Sequence, residues 1–127
     1  MRWNLMGSKT EDVQEFHELF GIPIGTTDLQ ELDRADMRFS LITEEVEELE
    51  VAMEDEDAEE ILDALVDICY VAMGFAVEMG YDFDEAWDRV HAANMAKLGP
   101  DGKPIYREDG KVLKPDYWEP PLLDDLV

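Results

Sequence analysis

A chain of 127 residues suffices for one domain with a single core, and 46% hydrophobic content excludes a disordered polyelectrolyte despite a formal net charge of −23. That charge argues against nucleic-acid or anionic-membrane binding by general electrostatics. The single cysteine, Cys69, rules out a disulfide framework. It fits a reducing cytoplasm and is expected to pack as a small buried hydrophobe.

The start, Met1 to Met6, lacks the long apolar run of a signal peptide. Ser8, with Glu11 three residues on, predicts a helix running to Phe20, stopped by Gly21 and Pro23 and edged by Phe16, Leu19 and Phe20. A second helix is predicted from Thr27 or Asp28 to about Met53. Its apolar positions, Leu32, Ala35, Phe39, Ile42, Val46, Leu49 and Met53, recur at gaps of three and four. The acidic run Glu54 to Asp57 then reads as a solvated connection.

A third helix is predicted from Ala58 to Met79, with Gly80 as its stop. It is apolar nearly all round, as core helices are; Asp63 and Asp67 keep it from reading as a membrane span. The apolar excess at Met73, Phe75, Val77 and Met79 is expected to need cover from a second copy. A fourth helix should open at Asp82 and end at Leu98, before Gly99 and Pro100. Beyond it, Asp109-Gly110 between Ile105-Tyr106-Arg107 and Lys111-Val112-Leu113 marks either a small hairpin or an arm that orders on substrate or a partner subunit. The expected class is all-α, a four-helix bundle, with residues 1–98 as the helical part and 99–127 as a C-terminal arm of the same domain.

The chemistry concentrates in the two central helices. From Phe39 to Asp88 there is no Lys or Arg, so carboxylates turned inward there have no basic neighbour in sequence. Such groups are protonated or bind a cation, because an unpaired buried charge is costly. Residues three and four apart share a helix face, which clusters Glu44, Glu45 and Glu48 on one helix and Glu60, Asp63 and Asp67 on the next. An antiparallel hairpin turning at Asp55–Glu56 sets Glu48 against Asp63, and Glu44 and Glu45 against Asp67. Those oxygens suit Mg²⁺, with Mn²⁺ as an alternative. Glu47, Glu50, Glu54 and Glu59 read instead as solvated acids, and Arg38 as one half of a structural ion pair. Five of the ten basic residues, Lys97, Lys103, Arg107, Lys111 and Lys114, lie between positions 97 and 114. Acids for a metal and cations for phosphates together suit a metal–polyphosphate substrate.

The motif Glu44-Glu45-Val46-Glu47-Glu48 and the segment Asp67-Ile68-Cys69-Tyr70 resemble the all-α nucleoside triphosphate pyrophosphohydrolase superfamily. Its members include MazG-like and phosphoribosyl-ATP pyrophosphohydrolase-like proteins and the related dimeric dUTPases. His91-x-x-Asn94-x-x-Lys97, the stretch Asp109 to Pro115 followed by Trp118, and Glu15-Phe16-His17 extend the resemblance over nearly the whole chain. One departure is clear: Ala64 stands where the family has Glu, and Asp63 is read as its replacement.

The resemblance implies a MazG-like bundle, a dimer or tetramer whose arm completes the partner's site. It further implies hydrolysis of a nucleotide between the α- and β-phosphates. Metal ligands would be Glu44, Glu45, Glu48, Asp63 and Asp67, with Glu44 and Glu48 serving catalysis. His91, Asn94, Lys97, Arg107, Lys111 and Lys114 would bind the nucleotide. Tyr70 and Phe16 are expected to pack, and Trp118 is free to stack on a base. Two alternatives are a family member that binds metal and nucleotide without hydrolysis and an acidic protein that mimics DNA.

Overall fold

The computed structural model describes residues 7–127; the reading made for Met1 to Met6 lies outside them. The elements in order are α1 (Lys9–Phe20), α2 (Leu32–Glu54), α3 (Ala58–Met79), α4 (Phe83–Met95), β1 (Ile105–Tyr106), β2 (Val112–Leu113) and a short 3₁₀ turn (Asp124–Leu126). The described residues form an all-α protein of four helices with one small antiparallel ribbon. Its packing divides into two compact units, one reaching to Phe83 and the other Asp84–Val127. The division falls at the start of α4.

Local chemistry explains most of the helix ends. The Ser8 side chain accepts the Glu11 backbone N–H at 3.1 Å to cap α1, and Gly21 closes it at φ 69°. Asp57 caps α3 by accepting from the Glu60 N–H at 3.1 Å, and Gly80 ends it at φ 77°. One prediction is corrected. Asp28 does not open α2, because its side chain and carbonyl accept from Gln30 and Glu31 and close a separate turn. The helix starts at Leu32.

In the first unit α3 is the shared partner: it packs along α2 and, in its C-terminal half, against α1. Phe16 stacks on Phe20 at 4.4 Å and meets the edge of Tyr70 at 5.7 Å, the packing role expected for both. Three helices converge at Gly74, where a Cβ would overlap the Arg38 guanidinium and lie 3.2 Å from His17 Nε2.

The centre of the first unit also contains a charged network that sequence reading missed. Glu78 is 0% exposed. Its carboxylate accepts from Arg34 Nε at 2.5 Å and from Thr27 Oγ1 at 3.1 Å, with Arg38 Nε at 3.7 Å. Arg38 in turn donates to the Val71 carbonyl at 2.7 Å. Burial pushes Glu78 upward, but the hydrogen bonds from Arg34 and Thr27 and the two guanidinium charges outweigh it and hold its pKa below the usual range. Arg38 is therefore in an ion pair, as expected, but with an acid near the far end of α3.

Two further expectations are corrected. Cys69 is exposed, on a face of α3 that it shares with Leu62, Leu65 and Val66, also exposed. That face is uncovered because α1 and α2 occupy the opposite side. The apolar excess is also displaced: Val77 is buried and Met73, Phe75 and Met79 are half-buried. Open apolar positions include the first half of α3 and, on α2, Val51 and every seventh residue from Leu32, namely Leu32, Phe39, Val46 and Met53.

In the second unit, Ile105 pairs with Leu113 and Tyr106 with Val112. The intervening turn contains Gly110 at φ 87°, while the Asp109 side chain accepts the Lys111 N–H at 3.1 Å. The hairpin alternative is the one observed. Arg89 ties α4 to the chain end through Asp125 (2.6 Å) and the Leu122 carbonyl (3.0 Å).

Candidate active site

The α2–α3 turn brings the acids together. Asp57 N–H bonds to the Ala52 carbonyl at 3.0 Å and Glu56 N–H to the Met53 carbonyl at 3.1 Å. Glu56 takes the left-handed conformation at φ 52°, so the chain reverses within the acidic connection as predicted. The helices then run antiparallel, and the i, i+3 pair Glu45 and Glu48 faces Asp67. One carboxylate oxygen from each of the three lies within 4.8 Å of the others. Glu45 and Asp67 are half-buried and Glu48 is exposed.

Electrostatics there are strained by excess negative charge. Glu45 is pushed up to about 7, first by desolvation, then by its hydrogen bond and like charge with Glu48 and by the charges of Asp67 and Asp63. Asp67 is also raised, by desolvation and then by Asp63 and Glu48. No Lys or Arg pairs with these acids among the described residues. Glu45 Oε2 is buried without a hydrogen-bond partner. A three-carboxylate set with an orphaned oxygen and no counter-charge fits a hard divalent cation.

Asp63 is exposed and raises Glu45 through its charge and Asp67 through its charge and a side-chain hydrogen bond, while Ala64 beside it is buried. Glu44 stands outside the trio. With Glu48 it lines an open cleft of about 610 Å³ that also takes in Glu47, Asp55, Asp57 and Glu60. Glu48 is thus common to the cluster and the cleft. Glu47, read from sequence as merely solvated, lines the same cleft; its i, i+3 spacing from Glu44 was the available signal.

In the second unit His91, Asn94, Lys111 and Lys114 are exposed and Lys97 is half-buried. Arg107, a candidate phosphate-binding cation from the sequence, is bound to Asp109 across the hairpin turn. Trp118 donates from Nε1 to the Ala93 carbonyl at 2.6 Å, beneath Lys97 and Lys114.

An antiparallel pair of long helices, with Glu-x-x-Glu facing Asp across it, defines the class: the MazG-like all-α pyrophosphohydrolases. The chain belongs to the phosphoribosyl-ATP pyrophosphohydrolase family, which matches residues 13–94. That match runs from Val13 within α1 to Asn94 near the end of α4 and includes every acid of the cluster. The family is one of acid anhydride hydrolases acting on nucleotides. No curated protein is similar enough to count as a match. No helix among the described residues is long and apolar enough to cross a membrane.

Proposed function

We propose that the protein is a magnesium-dependent nucleoside triphosphate pyrophosphohydrolase that cleaves between the α- and β-phosphates, releasing the monophosphate and pyrophosphate. The observation that carries this reading is the convergence of Glu45, Glu48 and Asp67 within 4.8 Å, with one oxygen orphaned and no basic partner among the described residues. Those three, with Asp63, hold Mg²⁺ or Mn²⁺. The ion supplies Lewis-acid polarisation of phosphate oxygens and acidifies water.

Glu44, on the cleft that Glu48 also lines, orients the attacking water and takes its proton. Water oxygen bonds to the α-phosphorus, the bond to the bridging oxygen breaks, and the electron pair leaves with pyrophosphate. Lys97, Lys111 and Lys114 offset the charge on that leaving group. Asn94 and His91 contact phosphate or sugar. Arg107 joins them only by releasing Asp109.

The uncovered faces of α2 and α3 pack on a second copy, giving a dimer or tetramer in which the arm of one copy serves the other. The enzyme works in the reducing cytoplasm and uses neither nucleic acid nor membrane as substrate. The test is a panel of canonical and modified NTPs and dNTPs, with phosphoribosyl-ATP, in Mg²⁺ or Mn²⁺, separating pyrophosphate from orthophosphate. Pyrophosphate release that disappears in Glu48→Gln is expected. Nucleotide binding without any product would establish the non-hydrolysing alternative. Tight metal-independent capture of a DNA-binding protein, without turnover, would establish mimicry.

A further inference from the structure

Counter-charge is abundant in this chain, with 33 acids against ten bases, and every described arginine uses it. Arg34 and Arg38 pair with Glu78, Arg89 with Glu85 and Asp125, and Arg107 with Asp109. Lys97 and Lys114 do not; neither lies within 4 Å of a carboxylate among the described residues. Both ammonium groups are instead held at the indole of Trp118, Lys97 Nζ at 5.4 Å and Lys114 Nζ at 4.8 Å from the ring centroid. The ring is itself fixed. Its Nε1 donates to the Ala93 carbonyl on α4 at 2.6 Å, and its backbone N–H to the Pro115 carbonyl at 3.0 Å.

Two like charges drawn to one site repel each other, and the attraction of each ammonium to the ring quadrupole offsets that only in part. A multivalent anion between them relieves the repulsion. We infer that Trp118 is a positioning residue that couples Lys97 and Lys114 into one two-cation grip for a pair of linked phosphates, the pyrophosphate portion of the substrate. The inference rests on the proposed function. Trp118 is thereby committed to the phosphate end and does not stack on the base.

The probe is inorganic pyrophosphate, titrated calorimetrically into the full chain in chelator without nucleotide. Wild type is expected to bind it more tightly than orthophosphate. Lys97→Met and Lys114→Met each weaken binding about tenfold, the double variant scarcely more than either alone, and Trp118→Leu to the same extent with both lysines present. Trp118→Phe separates positioning from simple anchoring of the arm, since it keeps a π face and loses the N–H. Partial recovery in Phe supports the grip, and a loss equal to that of Leu overturns it.

A measurement that needs no variant to fold is the Trp118 indole N–H resonance in wild type. It should shift on adding pyrophosphate; a resonance that stays still while others move overturns the inference. Failure here is separable from failure of the proposed function. Turnover of nucleotides without any pyrophosphate binding sinks the grip alone, while pyrophosphate binding without turnover of any nucleotide sinks the hydrolase reading alone.

Discussion

Glu78→Gln isolates the network that holds the three helices of the first unit together. The substitution keeps the side chain's shape and one acceptor oxygen, which still serves Arg34 and Thr27. It places an NH₂ opposite Arg38, a guanidinium only 5% exposed, and leaves that charge without an anion. Removing one partner of a buried ion pair costs about 3–5 kcal/mol, a large share of the ~5–15 kcal/mol that stabilises an ordinary domain. At about 3–5 °C per kcal/mol for a chain of this size, the melting temperature should fall by roughly 10–20 °C. Replacing Arg34, Arg38 and Glu78 together by Met should recover much of the loss, because no charge is then stranded.

The effect also has a defined pH dependence. Glu78 is held below its ordinary pKa, so the folded state binds fewer protons than the unfolded state in the window between the two values. Its contribution is therefore complete above the ordinary carboxylate range, near 4.5, and declines as pH falls through the folded value. Thermal melts of wild type and Glu78→Gln from pH 7 to 3 should converge at the acid end. Glu78 lies eleven residues beyond Asp67 on α3, about 16 Å along the helix, so turnover at low temperature should survive. A melting temperature within 2 °C of wild type, or a gap that widens in acid, would refute the reasoning.

Glu45→Gln and Glu48→Gln should raise the melting temperature by a few degrees in chelator, because each removes like-charge repulsion. The same variants should lose both the stabilisation by added Mg²⁺ and the release of pyrophosphate; a Mg²⁺-induced shift equal to wild type would remove these acids from the metal site. Glu56→Gly should stabilise the protein by about 1 kcal/mol, since φ 52° strains a side chain that glycine lacks, and urea denaturation that shows no gain would argue against strain at this turn. Leu65→Glu puts a charge on the uncovered face of α3; sedimentation should show smaller species than wild type, and unchanged association would mean that another face holds the copies together.

The amino-acid sequence by itself determined what depends on near neighbours. Ser8, Gly21, Asp57 and Gly80 bound their helices because capping and left-handed stops act within a few residues. The carboxylate cluster was legible for the same reason: helical spacing aligns Glu45 with Glu48, and a hairpin turn at Asp55–Glu56 sets Asp67 opposite. Asp28 shows the limit of that logic, since a cap residue also closes isolated turns. Tertiary structure alone decided the rest. Glu78 meets Arg34 across 44 positions of chain, and no local pattern tells which acid a distant arginine will reach. The same holds for exposure: Cys69, Leu62 and Val66 look like core on a helix apolar nearly all round, until α1 and α2 are seen to cover only its other side. Periodicity says which residues share a face, and only packing says which face finds a neighbour.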